Sequence, residues 1–142
     1  MSQKLILVCD DNEDNRVVFK AVLEHAGFAV VVAQDGAEAL EEARAFTPSL
    51  ILMDLMMPGL DGWQTVAQLK ADPVTAEIPV VAVSADVHVN SDLLHRGGFC
   101  AFVPKPILPK HLLDAVNRCL DELAGGSITR WLKLPAYEPG VR

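Results

Sequence analysis

The chain has 142 residues, of which 51% are hydrophobic, and a formal net charge of −7. That length suits a single domain whose core needs no disulfide staples, and the acidic balance excludes a broad basic surface for nucleic acid. No apolar run approaches the roughly 18 residues that a membrane span requires, and Met1-Ser2-Gln3-Lys4 leads straight into a strand-like segment instead of a secretory signal.

Leu5–Cys9 is an unbroken apolar run and reads as a first strand. Asn15–His25 follows as a helix with Val18, Val22 and Leu23 on one face, and Gly27 stops it. Ala29–Ala33 is a second strand, and Asp35-Gly36 a turn. Ala37–Phe46 is a helix rich in Ala and Glu, ended by Pro48, and Leu50–Asp54 is the third strand. Pro58-Gly59-Leu60-Asp61-Gly62 reads as a loop before a helix over Trp63–Ala71, with Trp63, Val66 and Leu69 spaced for burial. Pro79 precedes a fourth strand, Val80–Ser84. A shorter helix around Asn90–Arg96 stops at Gly97-Gly98, and Ala101–Val103 is the fifth strand. Lys110–Leu123 is the clearest helix, its apolar set (Leu112, Leu113, Val116, Leu120, Leu123) recurring at helical spacing.

Strands alternating with helices predict an α/β fold: a five-stranded parallel doubly wound sheet with helices on both faces and right-handed crossovers. Gly125-Gly126-Ser127 marks a break, so the domain is expected over residues 4–124 and a tail over 125–142. The tail carries Trp131, Leu132, Leu134 and Tyr137, too apolar to be left in water, and reads as a docking or dimerisation arm or a partly disordered terminus. Cys9, Cys100 and Cys119 form no CxxC pair. Each reads as a small buried apolar residue, and three unpatterned cysteines point to a reducing compartment, the cytoplasm.

In open α/β sheets the ligand crevice lies outside the carboxyl ends of the strands. Asp10 and Asp11 stand at the end of the first apolar run, Asp54 ends the third, and Lys105 follows the fifth. These four charged groups are therefore expected to share one pocket. Adjacent carboxylates at a strand end repel, and a hard divalent ion with oxygen ligands relieves that repulsion; a solvated turn leading to a helix cap by Asn12 or Asp14 is the alternative for the doublet alone. Asp54 follows a buried strand, so its carboxylate needs a partner, either a metal held with Asp11 or the ammonium of Lys105. Lys105 lies between Pro104 and Pro106, and its bond to Pro106 is a candidate for cis geometry. A compact lysine charge suits a transferring phosphoryl oxygen, and Ser84, ending the fourth strand, can offer its hydroxyl to the same oxygen.

Asp10-Asp11, Asp54 followed by Met57-Pro58-Gly59 and Asp61-Gly62, Ser84-Ala85 and Lys105-Pro106 together resemble the receiver domain of bacterial two-component response regulators, in order and spacing, from about Lys4 to Leu123. The resemblance implies the flavodoxin-like strand order 2-1-3-4-5. It implies that Asp54 is the phosphoacceptor, taking a phosphoryl group from a phosphohistidine on a sensor histidine kinase. It further implies Mg²⁺ bound by Asp11, Asp54 and the backbone carbonyl of Met56, with Asp10 acting mainly through water. Lys105 would neutralise the transferring group, Ser84 would bond the new phosphoryl oxygen, and Phe102 occupies the aromatic switch position. The output face would be the fourth helix, fifth strand and fifth helix. Such a protein is not an enzyme in the ordinary sense: it catalyses only its own aspartyl phosphorylation and dephosphorylation. It then signals to a downstream target protein or relays the group to a histidine phosphotransfer protein, as a stand-alone cytoplasmic phosphoprotein and with a homodimer as one use of the tail.

Two rivals share the fold or the chemistry. A flavin-binding electron carrier would prefer Ser, Thr and Gly donors where this chain has Asp10-Asp11-Asn12-Glu13-Asp14. An aspartate-based phosphatase places a second Asp two residues after its nucleophile, where Met56 stands here. Asp86, two residues after Ser84, is read either as overhanging the site and tuning how fast water attacks the phosphoryl group or as an exposed loop acid. His25, His88, His95 and His111 show no ligand-type clustering.

Overall fold

The computed structural model describes residues 3–125 apart from 87, with side chains through residue 121. Strands and helices alternate throughout: β1 Leu5–Cys9, α1 Glu13–His25, β2 Ala29–Ala33, α2 Gly36–Phe46, β3 Leu50–Asp54, α3 Gly62–Ala71, β4 Val80–Ser84, α4 Ser91–Arg96, β5 Ala101–Pro104 and α5 Pro109–Gly125. All strands pair in parallel, in the order β2-β1-β3-β4-β5. The expected fold class is therefore the observed one. The chain reverses its direction of travel across the sheet beside β1, so the carboxyl ends of β1 and β3 flank a crevice that no crossover helix closes.

The apolar runs form central strands because a sheet covered on both sides has no polar face to present. Every residue of β3 and β4 is buried. Their period of two sorts the core into two layers. Leu7, Cys9, Ile51, Met53, Val80, Ala82 and Phe102 face Ala39, Ala43, Val66, Leu69 and Leu94. Ile6, Val8, Leu50, Leu52, Val81, Val83, Ala101 and Val103 face Phe19, Leu23, Leu112, Ala115 and Val116. Each fully buried Leu, Ile or Val contributes about 1.5–3 kcal/mol by leaving water, which anchors the strand ends where the charged residues emerge.

Helix starts differ from the sequence reading by a residue or two, and side-chain caps explain those of α1 to α4. Asn12 accepts the N–H of Asn15, so α1 begins at Glu13 and not at Asn15. Asp35 and Asn90 play the same part for α2 and α4. Asp61 and Gln64 form a reciprocal capping box at the start of α3. Such caps are each worth about 1 kcal/mol.

Two readings need correction. On α1 the inward stripe is Phe19 and Leu23 with Val22 partly covered, whereas Val18 is 49% exposed; the larger Phe19, four residues before Leu23, takes the place in the core. The cysteines are not all unpaired either: Cys100 and Cys119 form a disulfide, and Cys9 alone is a free, buried thiol. This disulfide removes the ground on which a reducing compartment was expected. No helix among the described residues is long and apolar enough to cross a membrane. The expected arm over 125–142, apart from the helical Gly125, and the side chain of Leu123 lie outside the described residues.

Candidate functional site

β1 delivers Asp10 to the edge of the sheet with its side chain fully buried, and Asp11 follows it exposed to solvent. The next strand over, β3, ends on Asp54, 3% exposed. Parallel pairing of β1 with β3 brings these two ends side by side. One carboxylate oxygen from each of Asp10, Asp11 and Asp54 lies within 4.8 Å of the others. Across the crevice, Lys105 leaves the end of β5, its backbone N–H bonded to the Ser84 carbonyl at 3.0 Å. Its ammonium reaches Asp10 Oδ2 at 3.2 Å and Asp54 Oδ2 at 3.3 Å. The Lys105–Pro106 bond is cis. The four charged groups expected to converge do so.

The second carboxylate oxygens of Asp54 and Asp10 are bonded as well. Asp54 Oδ1 accepts the Met56 N–H at 3.0 Å, turning the chain sharply after β3. Asp10 Oδ1 accepts the Asn12 N–H at 2.9 Å. The loop then runs to Gly62, whose N–H returns to the Leu55 carbonyl at 3.1 Å. A side chain at Gly62 would have its Cβ 2.7 Å from Leu55 Cα, so α3 can lie this close to β3 only through glycine.

Burial holds the Asp54 carboxyl above the usual carboxylate range, and the neighbouring charge of Asp10 adds to this, while the Met56 N–H and Lys105 oppose it. Burial would lower Lys105, but the charges of Asp54 and Asp10 outweigh it and its ammonium is held more firmly than normal. Beneath the site, burial pushes the Cys9 thiol far up, out of thiolate chemistry.

Ser84 ends β4, 1% exposed, and its hydroxyl accepts the Asp86 N–H at 3.0 Å. Asp86 is half-buried, and its carboxylate takes the His88 N–H at 2.8 Å. The Met56 side chain is 63% exposed at the mouth. Phe102 lies on β5, 4% exposed, within the layer that also holds Val89, Leu94 and Phe99.

Two site residues escaped the sequence reading. Asn15 Nδ2 lies 3.4 and 3.3 Å from the two Asp10 oxygens, and Arg16 Nη1 donates to the Asp10 carbonyl at 2.7 Å. Both sit on the first turns of α1, where an apolar-periodicity scan reads only the inward face. The one available signal was their spacing: five and six residues after Asp10, they return to the strand end once a capped helix begins at Glu13.

A family model for the response regulator receiver domain matches residues 6–117. The chain belongs to that family. It is 32% identical over 120 residues to the polar-differentiation response regulator DivK of Brucella anthropi, an alignment covering 84% of this chain and 98% of DivK. Among solved structures, a CheY-like receiver domain protein from Methanospirillum hungatei superposes with a TM-score of 0.79 at 27% identity, over 89% of this chain and all of that one. The receiver domain of a sensor histidine kinase from Pseudomonas aeruginosa superposes with a TM-score of 0.77 at 26% identity, covering 84% and 99% of the two chains. That structure carries a magnesium ion coordinated in its active-site cleft. This protein is thus a receiver domain of two-component signalling, a switch and not a conventional enzyme.

The acid cluster of this receiver suits such an ion. It offers oxygen donors alone, three carboxylates face a single ammonium, and Asp11 opens the group to solvent. Hard divalent cations take that donor set, and Mg²⁺ in particular keeps several of its waters on an open side.

Proposed function

We propose that this receiver takes a phosphoryl group from the phosphohistidine of a sensor kinase onto Asp54. The observation that carries this reading is the meeting of Asp10, Asp11 and Asp54 within 4.8 Å under the Lys105 ammonium. An oxygen of the Asp54 carboxylate attacks phosphorus while the bond to the donor imidazole nitrogen breaks, which leaves an acyl phosphate. Burial keeps Asp54 weakly solvated, so it approaches without shedding a large hydration shell. Lys105 moves from pairing carboxylates to pairing the transferring oxygens, and the Ser84 hydroxyl donates to one of them. When bound by Asp11, Asp54 and the Met56 carbonyl, with Asp10 contributing through water, Mg²⁺ would supply charge neutralisation on the phosphoryl oxygens.

The donor must approach the mouth of this crevice. Beside Lys105 lies a groove of ≈460 Å³ lined by Asn15, Val18, Phe19, Ala85, Pro106 and Ile107. Val17, Val18 and Leu108 are 60%, 49% and 52% exposed there and in the adjoining loop and helix. Apolar surface next to a charged acceptor fits a helical kinase domain carrying its histidine on one face. The output face is α4, β5 and α5, where Phe102 would follow Ser84 once the phosphoryl group is in place, and the listener is a downstream protein or a histidine phosphotransfer protein. Residues 4–124 are the receiver unit on this reading. A cytoplasmic setting fits, since the kinase draws its phosphoryl group from ATP.

Incubation with Mg²⁺ and acetyl phosphate, followed by intact mass, tests the reading. A gain of one phosphoryl group that disappears in Asp54→Ala is the expected result. No gain, or a gain retained in Asp54→Ala, would refute it.

A further inference from the structure

Cys100 and Cys119 are 19 residues apart in sequence, and their Cα atoms lie 6.1 Å apart across the disulfide. That separation lies in the range a disulfide spans without moving the backbone. Cys100 immediately precedes β5, its N–H fixed to the Val80 carbonyl at 2.7 Å, and it is half-buried. Cys119 sits on α5 at 1% exposure. The covalent loop between them therefore encloses all of β5, the Lys105-Pro106 turn and the first half of α5. Both Phe102 and Lys105 lie inside it.

The reduced state suits the same two positions. Free thiols behave in a core as small apolar side chains, and these two share their layer with Ala101, Val103, Leu112 and Val116. Neither redox state requires a different fold. What changes is a tether between the entry of β5 and α5. Cys9 is a different case: it is buried in the opposite layer, donates to the Asp35 carbonyl at 3.4 Å and lies 3.6 Å from Met57 Sδ.

We propose that Cys100 and Cys119 are a reversible dithiol–disulfide site whose oxidation latches β5 to α5 and opposes the phosphoryl-driven rearrangement of that face. The second half of this proposal rests on the acceptor reading above. The oxidant is a low-molecular-weight disulfide such as oxidised glutathione. The half-buried Cys100 meets it first: its thiolate attacks one sulfur, a mixed disulfide forms and one glutathione thiolate leaves. The buried Cys119 thiolate then attacks the Cys100 sulfur and expels the second glutathione. Two protein thiols lose two electrons and two protons, and the oxidant gains them. A tether made in the arrangement seen here stabilises that arrangement over any other, so it lowers the population that phosphorylation favours. By linkage, phosphorylation makes the disulfide easier to reduce.

The full chain, equilibrated across glutathione ratios, quenched with acid and alkylated in denaturant, gives the test by peptide mass. The expected result is a reversible transition confined to Cys100 and Cys119, with Cys9 alkylated throughout. Oxidation should slow hydrogen exchange of α5 amides and slow phosphoryl uptake from acetyl phosphate by about fivefold or more, the low end of measured couplings. Cys100→Ser, at the more exposed position, and Cys119→Ala should each abolish that dependence on the glutathione ratio. Thiols that stay alkylatable at every ratio, a disulfide that persists at the most reducing one, or equal uptake rates and exchange in the two states would overturn the latch. A reduced protein that accepts no phosphoryl group overturns the acceptor reading instead. The latch is then judged by α5 exchange, and equal exchange in the two states refutes it.

Discussion

Lys105 Nζ stands 3.3 Å from Asp54 Oδ2 and reaches Asp10 Oδ2 at 3.2 Å as well, so one cation is shared between two carboxylates buried at 4% and 0% side-chain exposure. Replacing it leaves those carboxylates facing each other with no counter-charge. Lys105→Met is expected to lower stability at neutral pH by about 1–3 kcal/mol, less than for a wholly buried pair because the lysine is 22% exposed. Urea titration measures this, and added Mg²⁺ should recover part of the loss by binding the folded state. Phosphoryl uptake should fall by roughly tenfold or more, the value of one charge-assisted hydrogen bond. Unchanged stability with unchanged uptake would remove Lys105 from the site.

Asp54 makes a prediction of the opposite sign. Burial first, and the charge of Asp10 next, raise its carboxyl above the ordinary 3.8. A group whose folded pKa exceeds its unfolded one contributes stability below the unfolded value and loses it as pH rises through the folded value. At neutral pH the ionised Asp54 is therefore a net cost to the metal-free fold. Asp54→Asn should raise the urea midpoint at neutral pH, and the gap from wild type should close as pH falls towards 3.8. The acid limb of phosphoryl uptake should likewise begin at higher pH than for an ordinary carboxylate. A variant less stable than wild type at neutral pH would contradict this account of Asp54.

The strands were readable because each is an apolar run covered on both sides, a pattern that no neighbouring element can disguise. The four charged site residues were readable for a related reason: each abuts a run, so locating the runs located the groups. Asn15, Arg16 and the Cys100–Cys119 pair were not. Asn15 and Arg16 act through a helix that curls back to the strand end, and their polar side chains leave no trace in the apolar period. The pairing of cysteines 19 residues apart depends on how α5 packs against β5, which spacing alone does not state. Val18 was misplaced because Val18–Val22 and Phe19–Leu23 offer the same four-residue spacing, and only packing volume chooses between them.

Arg16 supplies a test of how the acidic loop is held. Its guanidinium donates to the Asp10 carbonyl at 2.7 Å from a half-buried position on α1. It thereby secures the peptide that leads into Asp11. Arg16→Ala should cost about 1–2 kcal/mol of stability, the range for a hydrogen bond from a charged donor that water can partly replace. Mg²⁺ affinity, by calorimetric titration, should fall with it, whereas Arg16→Lys should recover part of the affinity by restoring a charged donor. Equal Mg²⁺ affinity in Arg16→Ala and wild type would show that Arg16 braces α1 alone.

Asp86 distinguishes a charge effect from a backbone effect on the phosphorylated state. Its N–H is bonded to Ser84 Oγ at 3.0 Å and its carboxylate to the His88 N–H at 2.8 Å, so the side chain shapes the loop that follows β4. Removing it frees that loop beside the serine expected to hold a phosphoryl oxygen, and water reaches the acyl phosphate more easily. Asp86→Ala should shorten the lifetime of the phosphorylated form by about two- to tenfold, the range for one net hydrogen bond of 0.5–1.5 kcal/mol. Asp86→Asn keeps an acceptor for the His88 N–H and removes the charge, so on this account its lifetime stays near that of wild type. Decay of radiolabelled phosphoprotein measures both. An unaltered rate in Asp86→Ala makes Asp86 a bystander, and equal shortening in both variants means that the negative charge, not the turn, restrains the attacking water.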